Sequence, residues 1–291
     1  MNTGIFLEYV INGLQAGLLM FIISAGLTLS FGLMRVVNMA HGSLYMLGAY
    51  GGLVVHQRTG SFVAGMIFAM IGAGLAGWLV EKTLFRRLYS RGPFAQMLVS
   101  FGLIFVFDEA VRMIWGGDIR SFPRPVELSS SFQWAGANIE AYRLFLILLG
   151  STLSAVLLAV LAKTSFGLAV RASVDDREAA ELIGLNVKAL FAIVFIAGAA
   201  LAGIAGYVAI PLVNAFPGMG DDVLVSALVI VVLGGLGSIG GSLLASMIVG
   251  AALTIGQIMI ADYAPALLYF VLGVVLLIRP HGLLGQPGEL R

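Results

Sequence analysis

Residues 189–210 read ALFAIVFIAGAALAGIAGYVAI, an apolar run that contains no charged side chain. An α-helix needs about 20 predominantly apolar residues to cross the hydrocarbon core of a bilayer, so this run predicts a membrane-spanning helix. The composition agrees, because 60% of the 291 residues are hydrophobic and only 11% are charged. A soluble domain carries about 25% charged residues to cover its surface. The sequence therefore predicts an integral membrane protein and excludes a soluble fold.

Comparable apolar runs recur along the chain and predict an all-α polytopic fold. We expect one transmembrane domain over residues 1–291, with about nine spans, some of them bent or broken by internal glycine and polar residues. Many of the 38 glycines lie inside the apolar runs, where small residues let helix backbones approach closely. The predicted spans cover residues 9–33, 38–57, 62–80, 94–115, 141–162, 189–210, 222–238, 240–261 and 264–279.

The basic residues predict the orientation of these spans. Cytoplasmic loops of membrane proteins carry an excess of Lys and Arg, and an outside N-terminus with a cytoplasmic C-terminus satisfies this rule for most of the 16 basic residues. The predicted cytoplasmic residues are Arg35, Lys82, Arg86, Arg87, Arg91, Lys163, Arg171, Arg177, Lys188, Arg279 and Arg291. The predicted outer residues are Arg58, Arg112, Arg120, Arg124 and Arg143. The net charge is only +1, which implies no nucleic-acid partner.

Two hydrophilic segments separate the predicted spans. The outer loop near residues 116–140 contains prolines, serines and Trp134, a composition that suits an ordered surface loop with interfacial aromatic residues. The inner segment near residues 163–188 is the most charged stretch of the chain. We expect the inner segment to lie at the cytoplasmic face.

The inner segment predicts a short amphipathic helix. Asp175 can cap its N-terminus, and Glu178 three residues later can complete a capping box. Gly184 stands where a left-handed residue would end the helix, and Asn186 can cap the next span. The helix is either a solvated linker between two spans or a docking element for a cytoplasmic partner. Its expected apolar face consists of Ala179, Leu182 and Ile183.

A few polar residues interrupt the spans. Asn38 could cap the second helix while His41 bonds a nearby backbone carbonyl; alternatively, the two residues contact a substrate or form part of a cytoplasmic gate. Glu109 and Arg112 are three residues apart and are predicted to form a structural ion pair on one helix face, with a proton relay as the alternative. Thr28 is a weaker candidate for the pathway, because a span hydroxyl usually bonds its own helix.

The sequence lacks the groupings that other functions require. There is no cysteine, and His41, His56 and His281 are too far apart to indicate a metal centre. No nucleophile and base suggest a catalytic site, and no G-x-x-x-x-G-K-[ST] loop indicates ATP binding. The G-x-G-x-x-G patterns at residues 72–77 and 235–240 lie in apolar runs, where they indicate helix packing or bends lining a pore.

Two motifs resemble those of a known transporter family. Glu178-Ala179-Ala180-x-x-x-Gly184 resembles the EAA-x-x-x-G loop of ATP-binding-cassette (ABC) importer permeases, although the I-x-L-P ending is absent. Residues 38–50 are similar to the N-x-A-H-G-x-x-x-x-x-G-A-Y region of the branched-chain amino acid and amide permeases of this class. Further segments that look like the same family, in the same order, are residues 176–186, 198–203, 232–241 and 279–285.

The resemblance implies a permease subunit in a bacterial or archaeal cytoplasmic membrane. Its partners would be two cytoplasmic ATP-binding subunits, a second permease subunit (identical or related), an extracytoplasmic solute-binding protein and the lipid bilayer. The chain itself would be no enzyme and would bind no cofactor, since ATP and Mg²⁺ belong to the ATPase subunits. The residues that would couple the permease to the ATPases are Arg171, Asp175, Asp176, Arg177, Glu178, Ala179, Ala180, Gly184 and Asn186. The candidates for the pathway or gate are Thr28, Arg35, Asn38, His41, Tyr45, Gly234 and Gly237.

The resemblance leaves the substrate open. Branched-chain amino acids are the first expectation, with urea, short amides or small carboxylates as alternatives within the same importer class. A secondary transporter or facilitator channel is the alternative of a different class. Such a protein usually has its own coupling-ion site near the midplane, and it has no need of an amphipathic docking helix.

Overall fold

The computed structural model describes residues 3–34, 38–89 and 91–285, apart from the side chains of Met34 and Pro265. Helices dominate this part of the chain. They are α1 (Thr3–Met34), α2 (His41–Thr59), α3 (Phe62–Val80), α4 (Arg86–Leu88), α5 (Gly92–Trp115), α6 (Ala141–Lys163), α7 (Ser165–Asp175), α8 (Arg177–Leu182), α9 (Val187–Val213), α10 (Met219–Gly234), α11 (Ile239–Met259) and α12 (Ala264–Ile278). A π-helical turn, Glu81–Phe85, joins α3 to α4, and short 3₁₀ turns cover Val126–Leu128 and Ala261–Tyr263.

Each of the nine predicted span ranges contains a helix in the described chain. Among the described residues, five stretches are long and apolar enough to cross a membrane: Thr3–Leu33, Phe62–Leu88, Ala141–Lys163, Val187–Val213 and Ile239–Met259. The prediction of a helical membrane protein with several spans is therefore confirmed. Some boundaries differ from the prediction: α1 begins at Thr3 rather than near residue 9, and α10 ends at Gly234 rather than near residue 238. Gly235 and Gly237 adopt φ angles of 101° and 81°, which an α-helix cannot continue through.

The chain divides into two compact units. The first, called the core unit, contains residues 26–122 and 159–225. Its centre is formed by α2, α3 and α9, which pack against one another along their lengths. Glycines allow this close packing: a Cβ added at Gly48 of α2 would lie 2.2 Å from the Cα atom of Gly203 in α9. The predicted role of glycine in helix packing is therefore observed in this unit.

The second unit, called the hairpin unit, contains residues 1–25, 123–158 and 226–291. Strands β1 (Ser131–Trp134) and β2 (Ala137–Glu140) pair antiparallel, with Trp134 opposite Ala137. The turn residues Ala135 and Gly136 both have positive φ angles, as the twist of a two-residue hairpin favours. The sequence predicted an ordered outer loop but did not predict this hairpin, since Ala135 is an unusual residue for such a turn. One cluster of buried apolar residues in this unit contains Val229, Ile230, Leu233, Ala245, Val249 and Leu268.

Candidate functional site

The short helix of the inner segment lies in the core unit, and its first residue differs from the prediction. Asp176 is the N-cap of α8, and its side chain accepts a hydrogen bond of 3.0 Å from the backbone N–H of Ala179. The proposed cap, Asp175, is instead the last residue of α7. The predicted capping box is therefore wrong, because a start at Arg177 places Glu178 one position too early to reach back to the cap.

The C-terminal end of α8 agrees with the prediction. Gly184 has a φ angle of 89° and follows the last turn of the helix, where a left-handed residue ends the helical path. Asn186 caps α9, since its Oδ1 accepts a hydrogen bond of 3.0 Å from the N–H of Ala189. The helix is thus fixed at both ends by local hydrogen bonds.

One edge of α8 is apolar and exposed. Leu182 is 87% exposed and Ile183 is 75% exposed, whereas Ala180 on the other side of the helix is buried. Glu178 and Ala179 are also exposed. Arg177 pairs with Glu181 one turn along at 3.1 Å, a contact between two exposed side chains. The helix therefore presents two large apolar side chains beside charged ones on the surface of the core unit.

A second amphipathic helix, α7, precedes α8 and was not predicted as a separate element. Thr164 caps it, and Gly167 lies so close to α6 that an added Cβ would be 2.1 Å from the carbonyl oxygen of Leu161. Arg171 donates a hydrogen bond to the same carbonyl. A cleft of about 380 Å³ lies beside this corner, lined by Gly32, Leu33, Ser173, Val174, Asp175, Asp176, Arg177 and Glu178.

Asn38 and His41 lie at the start of α2, and both are buried. The Oδ1 atom of Asn38 accepts a hydrogen bond of 3.1 Å from the N–H of Ala40, so Asn38 forms a local turn just before the helix. The N-cap position itself is Ala40, which makes no side-chain cap, and the prediction that Asn38 caps α2 is therefore wrong in its detail. His41 packs against α1, where its Cε1 atom would be 2.9 Å from a Cβ added at Gly26.

The other pathway candidates are distributed between the two units. Thr28 of α1 and Tyr45 of α2 are buried in the core unit. The backbone of Tyr45 is so near α9 that a Cβ at Gly206 would lie 2.1 Å from its carbonyl oxygen. Arg35 lies outside the described residues.

Gly234 is the last residue of α10, and Gly237 lies in the turn between α10 and α11; both belong to the hairpin unit. A Cβ at Gly234 would lie 2.5 Å from the backbone nitrogen of Ser242, so the residue permits the two helices to meet. The chain after α12 returns to this turn, where the N–H of Leu284 donates 3.1 Å to the carbonyl of Gly234. These contacts satisfy carbonyls at the end of α10 that would otherwise lack partners.

The predicted pair of Glu109 and Arg112 is wrong. Among the ion pairs of the described residues, none joins these two side chains, which are both exposed. A spacing of three residues brings the two side chains within reach, but holding both long side chains in one contact costs side-chain entropy. In the same described ranges, no group of three or more His, Asp or Glu residues could hold a metal ion.

Sequence reasoning missed a buried carboxylate near α8. Glu81, in the π-helical turn after α3, is only 1% exposed and accepts a hydrogen bond of 2.9 Å from the hydroxyl of Tyr89. The sequence shows only an acidic residue among several basic ones, because the burial depends on the packing of α9 against this turn. No motif marks the position.

The fold and the site together define a class: a multi-pass α-helical membrane protein with a short, exposed amphipathic helix between two of its long helices. The family described as branched-chain amino acid transport system, permease component, matches residues 9–279. The chain belongs to this family. It is accordingly a multi-pass protein of the cytoplasmic membrane and a permease component.

Curated relatives cover the chain almost completely. The high-affinity branched-chain amino acid transport system permease protein LivH of Escherichia coli K12 is 29% identical over 97% of this chain and 96% of the relative. The corresponding protein BraD of Pseudomonas aeruginosa is 27% identical over the same shares. A probable LivH of the archaeon Methanocaldococcus jannaschii is 26% identical over 92% of this chain and 89% of the relative. No solved structure matches the chain significantly.

Proposed function

We propose that this chain forms the translocation pathway for branched-chain amino acids in an ABC importer. The substrate is inferred from the names of the relatives, which are branched-chain amino acid permeases from two bacteria and an archaeon. Urea, short amides and small carboxylates remain the alternatives for an uptake assay to exclude. Two ATP-binding subunits, a second permease subunit and an extracytoplasmic binding protein complete the proposed complex, and ATP and Mg²⁺ bind the ATPases.

The exposed edge of α8 is the observation that carries the coupling part of this proposal. An isolated solvated linker has no reason to expose Leu182 and Ile183 together, whereas a helix that docks on another protein does. The caps at Asp176 and Asn186 and the turn at Gly184 hold the helix in one orientation. ATP binding then moves the ATPase surface, and α8 transmits this difference to the permease. The proposed coupling residues are Arg171, Asp175, Asp176, Arg177, Glu178, Ala179, Ala180, Gly184 and Asn186.

We further propose nine spans, with the N-terminus outside and the C-terminus in the cytoplasm. In this arrangement α7 and α8 lie on the cytoplasmic side and the β1–β2 hairpin lies outside. The distribution of Lys and Arg supports the orientation. The four helices beyond the five long apolar ones are shorter or carry more charge, which suits spans that line the pathway and pack against other spans.

The start of α2 is the proposed gate region. Asn38 and His41 are buried polar side chains, and His41 lies beside the contact of Gly26 in α1 with Gly198 in α9. Thr28 of α1 and Tyr45 of α2 are also buried. Buried polar groups within a membrane protein face the bundle or a cavity. The proposal includes Arg35, Gly234 and Gly237 as further gate candidates.

Uptake in proteoliposomes tests the proposal directly. The chain is reconstituted with its partner ATPases and binding protein, and uptake of radiolabelled leucine is measured with and without ATP inside. Wild-type protein is expected to require ATP. Glu178→Lys, a reversal of an exposed charge on α8, is expected to abolish uptake and stimulated ATP hydrolysis while membrane insertion stays normal. Lys163→Glu reverses an exposed charge at the end of α6, is the matched control and is expected to retain uptake.

Two results would contradict the proposal. If the chain alone carries leucine down its gradient, a facilitator is the better account. If Glu178→Lys behaves like Lys163→Glu, α8 does not couple the permease to an ATPase.

A further inference from the structure

Glu81 is a buried carboxylate to which the proposed function assigns no role. It begins the π-helical turn Glu81–Phe85 at the end of α3 and is 1% exposed. A buried charge is costly unless hydrogen bonds and opposite charges compensate for the lost water. π-helical turns are rare, and many of them occur at functional sites.

Tyr89 provides the compensating hydrogen bond. Its hydroxyl donates to the Oε1 atom of Glu81 at 2.9 Å, and the Arg86 guanidinium lies 4.0 Å from the same oxygen. Burial raises the pKa of Tyr89, which lies beyond the end of the α3 span, and the Glu81 carboxylate raises it further. The phenol therefore stays protonated and remains a donor throughout the physiological pH range.

The ring of Tyr89 is connected to α8 through the ring of Phe191 in α9. It meets the ring of Phe191 in α9 edge to face, with 5.2 Å between the ring centroids. The guanidinium of Arg177, the first residue of α8, lies 5.1 Å from the centroid of the same Phe191 ring. Both contacts have the geometry of favourable aromatic and cation–π interactions. Phe191 thus contacts a side chain of α8 and a side chain that holds the π-helical turn.

A second aromatic contact fixes the turn against α9. Phe85, the last residue of the turn, meets Phe195 at 5.1 Å between ring centroids, and both side chains are buried. Phe195 is one helical turn after Phe191 on α9, so the two contacts lie side by side. A turn held by two aromatic contacts and a hydrogen bond has little freedom to move independently of α9.

We propose that Arg177, Phe191, Tyr89 and Glu81 form a rigid link that makes the π-helical end of α3 move together with α8. The inference rests on the proposed function, in which an ATPase subunit displaces α8. All four are positioning residues, because none is assigned a contact with the substrate. Energy delivered to α8 would thereby reach α3, one of the three helices at the centre of the core unit.

The test compares ATP hydrolysis with uptake in the reconstituted complex. Tyr89→Phe keeps the ring contact with Phe191 and removes the hydrogen bond to Glu81. The substrate-stimulated ATPase rate is expected to remain, while the leucine taken up per ATP hydrolysed falls about fivefold or more, the lower end of typical coupling strengths. A merely structural defect would reduce both rates together and leave their ratio unchanged. Tyr269→Phe, at an exposed tyrosine of α12, is the control and is expected to keep the wild-type ratio.

A second variant keeps the test decisive if Tyr89→Phe folds poorly. Phe191→Leu preserves an apolar side chain but removes both ring contacts, so the same fall in the ratio is expected. The double variant is expected to be no worse than the poorer single variant, because both substitutions interrupt one pathway. A wild-type ratio in either folded variant, or additive losses in the double variant, would overturn the link. Absence of ATP-dependent uptake by the wild-type complex would instead refute the proposed function.

Discussion

Asp176 determines where α8 begins, because its carboxylate accepts the hydrogen bond from the N–H of Ala179 that the first helical turn leaves open. Asp176→Ala is expected to destabilise α8 by about 1 kcal/mol. Its backbone amides should then exchange with deuterium about fivefold faster, which mass spectrometry of the detergent-solubilised protein can measure.

Asp175→Ala is the matched control for this prediction. Asp175 ends α7 and does not cap α8, so its replacement should leave exchange in α8 unchanged. Equal exchange rates in the two variants would show that Asp176 does not act as the cap.

The side chain of Glu140, the last residue of β2, connects the β1–β2 hairpin to α6 through ion pairs. Its two carboxylate oxygens pair with Arg124 and Arg143, each at 2.8 Å. Burial acts to raise the pKa of Glu140, but the hydrogen bonds from Arg143 and Arg124 outweigh it and hold the pKa below the ordinary value of 4.5. The carboxylate form is therefore favoured in the folded protein.

The lowered pKa of Glu140 predicts a loss of stability in acid. A group with a depressed folded pKa stabilises the protein above its unfolded pKa, and this contribution disappears as the pH falls through the folded value. The midpoint of thermal unfolding should decrease below about pH 4.5, and Glu140→Gln should show a smaller decrease. Glu127→Gln, at an exposed position, should behave like wild type. An identical acid profile for Glu140→Gln would contradict the role of these ion pairs.

The close packing of helix α2 against helix α9 depends on glycine at the contact. An added methyl group at Gly48 would be 2.2 Å from the Cα atom of Gly203, too close for any backbone to remain in place. Gly48→Ala is expected to destabilise the protein by about 1–3 kcal/mol, the typical cost of overpacking. Thermal unfolding in detergent, followed by loss of the monodisperse species, measures the change.

Gly102→Ala provides the comparison within another helix of the core unit. No atom lies within 4 Å of a Cβ added at Gly102, so the substitution meets open space. Alanine should be neutral there or stabilise α5 slightly, because it has the higher helix propensity. If both alanine variants unfold at the same temperature, close helix contact is not the reason for glycine at position 48.

The whole molecule is predicted to cross the membrane nine times with the N-terminus outside. Because the sequence contains no cysteine, single introduced cysteines can show on which side of the membrane a segment lies. Ser130 precedes the hairpin and Ser165 begins α7, and both are exposed, so the test variants are Ser130→Cys and Ser165→Cys. A membrane-impermeant maleimide should label Ser130→Cys in intact cells and should label Ser165→Cys only after permeabilisation. Labelling of both positions in intact cells, or of Ser165→Cys alone, would contradict the proposed orientation.

Much of the architecture was predictable from hydropathy alone. Each of the nine predicted apolar ranges contains a helix in the described chain, because a backbone in hydrocarbon must satisfy its hydrogen bonds internally. Local capping chemistry was predictable in part: Asn186 and Gly184 act as expected, whereas the cap of α8 shifted from Asp175 to Asp176. Two adjacent aspartates offer the same chemistry, so the sequence pattern alone does not distinguish between the two possible caps.

The sequence by itself therefore determined the membrane class, the order of the helices and the position of the exposed helix α8. These features follow from hydrophobicity, charge and local hydrogen bonding, which act between residues close together along the chain. Only the tertiary structure decided which distant residues meet: Glu81 with Tyr89, Phe191 with Arg177, and Gly48 with Gly203. Such contacts arise from the way α2, α8 and the turn after α3 pack against α9 and against one another, and the sequence does not show which residues become partners.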